Sequence, residues 1–173
     1  RVVKTDISEY RPEVRYDRIV SIEMFEHIRN PAKLMNRIAE WLNPGGTLFI
    51  QVFSHKYLPH HFDDVENSWM AKSFFTGGMM PYDGFYNELC ADLDLKNIWT
   101  ISGLNYHQTL ERWLENLDNN RQEITEQLRT THTQSNAPVD INRYRLFLII
   151  CSELFRFNQG RSWHLMQYLF ESK

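Results

Sequence analysis

Cysteine is nearly absent, with only Cys90 and Cys151 in 173 residues. Two thiols inside helix-like patterns make no spaced disulfide framework, so burial must hold the fold. Buried free thiols in a reducing cytoplasm follow from that usage. Long apolar runs are missing too. The densest, Leu146 to Cys151, falls far short of the roughly 20 residues that span a bilayer, so no transmembrane segment is expected. There is no basic surplus, because the formal net charge is −3; nucleic acid, which needs clustered Lys and Arg, is not an expected partner. The start, Arg1-Val2-Val3-Lys4, lacks the charged and apolar regions of a signal peptide. It is not Met and already lies in a strand-like run, which reads as a chain cut from something longer. No internal repeat or low-complexity tract occurs.

What is present suits one globular domain, or most of one, since 42% of residues are hydrophobic. Val2 to Ile7 is a β-branched run that reads as a strand, and Tyr16 to Ile22 reads as a second. Asn30-Pro31 opens a helix with an N-cap and a first-turn proline. Leu34, Met35, Ile38, Trp41 and Leu42 share one face of it, and Asn43-Pro44-Gly45-Gly46 ends it. Thr47 to Phe53 is a nearly continuous apolar run, as in a strand covered on both faces. This order is the grammar of a parallel α/β sheet.

Beyond it the pattern changes. Residues 54–84 form a long connection rich in His, Asp, Phe and Gly, with a short helix around Glu66 to Phe74; so long a connection reads as a lid or binding element. Tyr82 to Leu93 reads as helix and Leu95 to Ile101 as strand. A long amphipathic helix is expected from about Tyr106 to Thr131, with Leu110, Trp113, Leu114, Leu117, Ile124 and Leu128 inward. A second helix covers Ile141 to Phe157, and Trp163 to Phe170 closes as a strand. The organisation expected is 1–53 as sheet core, 54–94 as lid and acceptor-pocket insertion, and 95–173 as the remaining strands and helices.

The strip Glu23-Met24-Phe25-Glu26-His27 carries the chemistry. Open α/β sheets bind ligands at the carboxyl ends of their strands, and Glu23 is the first residue past one. One helical turn would put Glu23, Glu26 and His27 on one face. Two carboxylates with an imidazole can orient a cation and remove a proton from it. A solvated charge cluster, with His27 bonded to a main-chain carbonyl, is the plainer alternative.

Tyr16 to His27 (Tyr-Asp-Arg-Ile-Val-Ser-Ile-Glu-Met-Phe-Glu-His), with Leu42-Asn43-Pro44-Gly45-Gly46, resembles the later half of an S-adenosylmethionine-dependent methyltransferase. The group it is similar to contains the cyclopropane-fatty-acyl-phospholipid synthases and the plant coclaurine-type N-methyltransferases. Trp69-Met70, Phe74-Phe75-Thr76-Gly77-Gly78 and the ending Ser162-Trp163 to Tyr168-Leu169-Phe170 look closer to the N-methyltransferase branch. The resemblance implies the C-terminal portion of a Rossmann-like class I methyltransferase sheet, with a helical lid insertion and two long C-terminal helices before a last strand. It implies S-adenosyl-L-methionine as cofactor and Glu23, Glu26 and His27 as the catalytic, amine-side residues. Asp6 and Ile7 match the motif that reaches the adenine, and Glu23 is also placed toward the cofactor. Tyr106, Gln51 and Phe75 are implied as pocket residues. Gln51 stands where the cyclopropane synthases carry a bicarbonate-binding histidine; an amide cannot titrate, which disfavours that branch. The glycine-rich cofactor loop of the fold does not occur in these residues, so the chain alone is expected to bind cofactor poorly.

Other groupings carry less. His55, His60, His61, Asp63 and Asp64 lack the spacing of a zinc motif, and no metal is expected. Gly77-Gly78 lacks the lysine of a phosphate loop and reads as a lid hinge. The aromatics from Tyr57 to Tyr86 divide between core and an aromatic box suited to a sulfonium or amine. The reading is methyl transfer to a small-molecule acceptor, an amine. The alternatives are cyclopropanation of a phospholipid acyl chain and a non-catalytic fragment without the cofactor loop. A cytoplasmic location and self-association into a homo-oligomer are compatible with it.

Overall fold

Strand β1 (Tyr16–Ile22) lies parallel to β2 (Leu42–His55), with Ile22 opposite Gln51. The computed structural model describes residues 1–62, 72–74, 77–131 and 137–173. Between the two strands come one tight 3-10 turn, Phe25–His27, and helix α1 (Pro31–Trp41). The Asn30 side chain caps α1 by accepting from the Lys33 N–H at 3.0 Å, and Pro31 fills the first turn, where no N–H is needed. Leu34, Met35, Ile38 and Trp41 are all buried, as their spacing predicts. Each such side chain stabilises the fold by roughly 2 kcal/mol through the apolar surface it removes from water.

The remaining strands are β3 (His60–His61), β4 (Met79–Met80), β5 (Leu93–Ile101) and β6 (Trp163–Ser172). The main sheet has the order β1-β2-β6-β5, and β3 pairs antiparallel with β4 in a small separate ladder. Along β2, Leu48, Ile50 and Val52 are fully buried while the alternating Thr47, Phe49 and Gln51 are half-buried. Both faces are thus covered to some degree, as the continuous apolar run predicts.

The chain divides into two compact units. The first, Arg1–Thr100 with Met166–Lys173, contains the core formed by Phe25, α1, β2, Tyr86, Tyr168 and Phe170. The second, Ile101–Leu165, holds helices α2 (Gly103–Asn119), α3 (Arg121–Thr131) and α4 (Ala137–Gly160). Leu110, Ile141, Leu148, Cys151, Phe155 and Leu165 are its buried apolar residues among those described.

Four expectations need correction. Val2 to Ile7 is not a strand: these residues run as irregular chain into a turn at Ile7, and Val2 and Val3 are exposed. They have no sheet partner among the described residues, and an unpaired strand leaves its backbone groups unsatisfied. Tyr82 to Asp92 forms successive turns rather than a helix. Gly84 adopts φ +84°, and the Asn87 N–H donates to its carbonyl across three residues; a left-handed residue there stops helix propagation. The long helix from Tyr106 to Thr131 is two helices, broken at Asn120. Its Nδ2 donates to the Asn116 carbonyl, the local competition that makes asparagine a poor helix interior. Trp113, expected inward, is half exposed, with its ring edge-on to Tyr106 at 6.5 Å.

Candidate active site at the end of β1

Glu23 follows β1 directly and has φ +50°, an unusual conformation for a residue with a side chain. Its main-chain N–H donates to the Gln51 carbonyl at 2.8 Å, continuing the ladder one residue past the strand. That bond is made in a conformation costing about 1 kcal/mol or more, and residues held this way cluster at functional sites. The 3-10 turn after it is closed by the His27 N–H on the Met24 carbonyl at 3.0 Å.

The turn does not place the three residues alike. Glu26 is completely buried, and neither carboxylate oxygen has a hydrogen-bond partner among the described residues. Burial pushes its pKa from 4.5 to about 8, with the nearby Glu23 charge adding to the shift and its own main-chain N–H opposing it. Glu23 is half-buried and His27 is exposed. The structure therefore brings the two carboxylates within electrostatic reach while His27 faces outward.

Gly78 explains part of the Thr76-Gly77-Gly78 motif. A Cβ there would stand 3.2 Å from the Glu26 carbonyl, 3.3 Å from the Phe62 ring and 3.4 Å from His27 Nδ1. The backbone at 78 thus lies against the turn that carries the site, and a Cβ there would require its neighbours to shift by a few tenths of an ångström.

Gln51 lies on β2 beside Glu23, its Nε2 directed at Glu23 Oε1 at 3.5 Å. Its Oε1 accepts from Gln167 Nε2 at 2.7 Å. Asp6 is exposed, and one carboxylate oxygen accepts from the Ser8 N–H at 2.7 Å; hydrogen bonds from Ser8, helped by the Arg37 charge, hold its pKa below the usual value. Arg37 on α1 fixes this turn by donating to the Ile7 and Ser8 carbonyls, each at 2.9 Å. Tyr106 belongs to the second unit, where its ring packs on Phe155 at 4.5 Å. Phe75, Asp63, Asp64 and the Trp69-Met70 pair lie outside the described residues, as does most of the helix expected at Glu66 to Phe74.

Gln167 escapes the sequence reading, and Tyr86 enters it only among the aromatics divided between core and an aromatic box. Tyr86 is completely buried, its hydroxyl has no partner among the described residues, and its pKa is raised by burial and then by the Glu26 charge. Gln167 is the one side-chain amide in the apolar run from Leu165 to Phe170, and that oddity was its only signal. His55 Nδ1 accepts from the Tyr57 and Leu58 N–H groups at 3.2 and 2.9 Å. Among the described residues no three His, Cys, Asp or Glu side chains converge as a metal site. Cys90 and Cys151 are free and buried, and burial pushes the Cys151 thiol up to about 12.

The chain is similar to known proteins over nearly its whole length. (S)-Coclaurine N-methyltransferase of Papaver somniferum is 33% identical over 180 residues, which cover 100% of this chain and 50% of that protein. The enzyme of the same name from Thalictrum flavum subsp. glaucum is 33% identical over 177 residues, covering 99% and 49%. The chain thus spans about half the length of the curated relatives it matches. The crystal structure of coclaurine N-methyltransferase bound to N-methylheliamine and SAH aligns with a TM-score of 0.88 at 30% identity, over 97% of this chain and 51% of that one. A cyclopropane synthase structure from Mycobacterium tuberculosis aligns with a TM-score of 0.75 at 22% identity, over 99% and 60%. The fold is that of the C-terminal portion of class I methyltransferases. A family model described as mycolic acid cyclopropane synthetase matches residues 1–165, nearly the whole of the sheet, turn and helices just described, and the chain belongs to that family.

Proposed function

We propose that this chain is the acceptor-side portion of an S-adenosylmethionine-dependent N-methyltransferase acting on a small-molecule amine. The observation that carries the reading is the carboxylate pair at the end of β1, one member half-buried and the other completely buried with no hydrogen-bond partner among the described residues. Such a pair is unstable with two negative charges and gains from a cation that donates hydrogen bonds. An ammonium is that cation. The N-methyltransferase relatives, at 33% identity, support the same class of acceptor.

Asp6 and the backbone at Ile7, fixed by Arg37, suit the adenine end of the cofactor through a carboxylate that accepts from an amino group. The methionine end needs a glycine-rich loop that these residues do not contain. The cofactor supplies an electrophilic methyl group when bound. This chain's own residues handle the acceptor. Glu23 is half-buried and His27 exposed, so both can be reached from solvent and contact with the amine falls to them. Glu23 orients the cation, and His27 takes its proton, which exposes the lone pair that must attack. Glu26, behind them, stays largely protonated near neutral pH and becomes an anion when a cation arrives. Gln51, whose Nε2 is directed at Glu23, joins them in the proposed acceptor pocket. The two free thiols suit a reducing cytoplasm, and no helix among the described residues is long and apolar enough to cross a membrane.

The second reading, cyclopropanation, is favoured by the family match itself. Labelled methyl transfer by the full-length gene product separates the two. Offered benzylic amines in one assay and unsaturated phospholipid in another, it should label the amines; label in the acyl chain alone would overturn the N-methyltransferase reading.

A further inference from the structure

Three polar side chains run in line from β6 through β2 to the residue after β1. Gln167 Nε2 donates to Gln51 Oε1 at 2.7 Å, and Gln51 Nε2 points to Glu23 Oε1 at 3.5 Å. The direction of both amides is forced from one end. A carboxylate only accepts, so Gln51 must turn its NH2 toward Glu23. Its oxygen then faces β6, and Gln167 must turn its own NH2 to meet it. Neither amide can flip without setting oxygen against oxygen.

The main chain adds a second tie, because the Glu23 N–H is held by the Gln51 carbonyl while Glu23 sits at φ +50°. The 3.5 Å approach is the long limit of a hydrogen bond. It orients the carboxylate without neutralising it. An amide has no proton to lose near neutral pH, so the orientation holds across the whole working range.

We propose that Gln51 and Gln167 are positioning residues, a two-amide relay that aims the Glu23 carboxylate at the ammonium of the acceptor and so sets the preference for cationic over neutral acceptors. The proposal rests on the methyl-transfer reading above. Gln167 touches neither acceptor nor cofactor in this role; it acts through Gln51.

The test uses the full-length gene product with Gln167→Leu, Gln167→Glu, Gln51→Leu and the double leucine variant. Gln167→Leu frees the Gln51 amide, and KM for a cationic amine should rise about fivefold while kcat falls less. Gln167→Glu keeps the volume but presents only acceptors. It turns the Gln51 NH2 away from Glu23, so its KM should rise further, to about tenfold or more. A packing role predicts the reverse order, since glutamate is the closer match in shape. The double variant should equal Gln51→Leu alone. Additive losses, or a milder Gln167→Glu, would overturn the relay.

A substrate-free measurement keeps this separate from the function itself. In urea denaturation, pairing Gln167→Leu with Glu23→Gln should shift the midpoint by less than the sum of the single shifts. Additivity there sinks the relay whatever the enzyme methylates. A wild-type protein that methylates no amine, yet shows the coupling, overturns the amine reading and with it the acceptor preference proposed for the relay.

Discussion

The Tyr86 hydroxyl and the Glu26 carboxylate are both completely buried, both unpartnered among the described residues, and close enough that the glutamate's charge raises the tyrosine's pKa. Phe25 packs edge-on against the Tyr86 ring at 5.7 Å, and Tyr168 does so at 5.5 Å. A neutral hydroxyl near a buried carboxyl favours its ionised form, because the anion gains more from the O–H dipole than the neutral acid does. Tyr86→Phe removes that dipole and keeps the rings. The acid limb of the rate profile should move to higher pH, while thermal stability stays level or rises slightly, since an unsatisfied hydroxyl has gone. A pH series of kcat/KM on both proteins reads the shift; an unmoved limb would detach Tyr86 from Glu26.

Glu26 itself makes stability depend on pH. Its pKa of about 8 in the fold lies above the ordinary 4.5, so the folded state holds the proton more tightly between those values. The contribution is complete below about pH 4.5 and is lost as pH rises through about 8. Glu26→Gln carries no titratable proton. The variant should melt near the wild type at pH 5 and several degrees above it at pH 9, by calorimetry or circular dichroism. Parallel pH curves for the two proteins would show that Glu26 is not the buried acid described here.

Gly78 sets a steric condition on the site. Gly78→Ala puts a methyl 3.2 Å from the Glu26 carbonyl and 3.4 Å from His27 Nδ1, so the turn must yield by a few tenths of an ångström. Catalytic geometry is sensitive on that scale. The expected result is a drop of about tenfold in kcat/KM with little change in melting temperature. A large loss of stability with unchanged specific activity would make Gly78 a folding residue only.

His27 is exposed, so truncating it costs little packing. His27→Ala should lower turnover by about 100-fold at neutral pH, in the range usual for a removed general base, and raise KM only slightly. The loss should shrink as pH rises and more of the amine is already neutral. Steady-state kinetics at two pH values test this, and unchanged turnover would remove His27 from proton transfer.

Legibility from the sequence followed the range of the forces involved. β1, α1 and β2 were readable because an N-cap, a first-turn proline and periodic apolar residues are local signals that burial reinforces. The Tyr82 to Asp92 segment was misread because Phe85 and Leu89 mimic helical spacing, and a single left-handed Gly84 outweighs it. Val2 to Ile7 has strand composition, but composition cannot supply a pairing partner. The Glu23–His27 strip was found, yet not its internal asymmetry: one face was expected, and the turn buries Glu26 while exposing His27. Gln167, and the pairing of Tyr86 with Glu26, were missed because they depend on side chains 60 or more positions away in sequence, which no spacing rule can reach.

In the second unit, Ser152 is buried to 1% exposure between His107 on α2 and Glu111 one turn along the same helix. Its hydroxyl donates its single proton to Glu111 Oε1, so it can only accept from His107, at 2.7 Å. His107 must therefore carry its proton on Nδ1. This is the reverse of a nucleophilic serine, whose proton goes to the histidine, and it makes the group a clamp between α2 and α4. Ser152→Ala leaves a half-buried imidazole and an exposed carboxylate that water can still reach. The cost should thus be about 1 kcal/mol, at the lower end for a lost hydrogen bond, seen as a lower urea midpoint with an unchanged slope. Methyl-transfer kinetics should stay as they are, because the clamp ties two helices of the second unit to each other; a fall in kcat with no fall in stability would contradict the structural role.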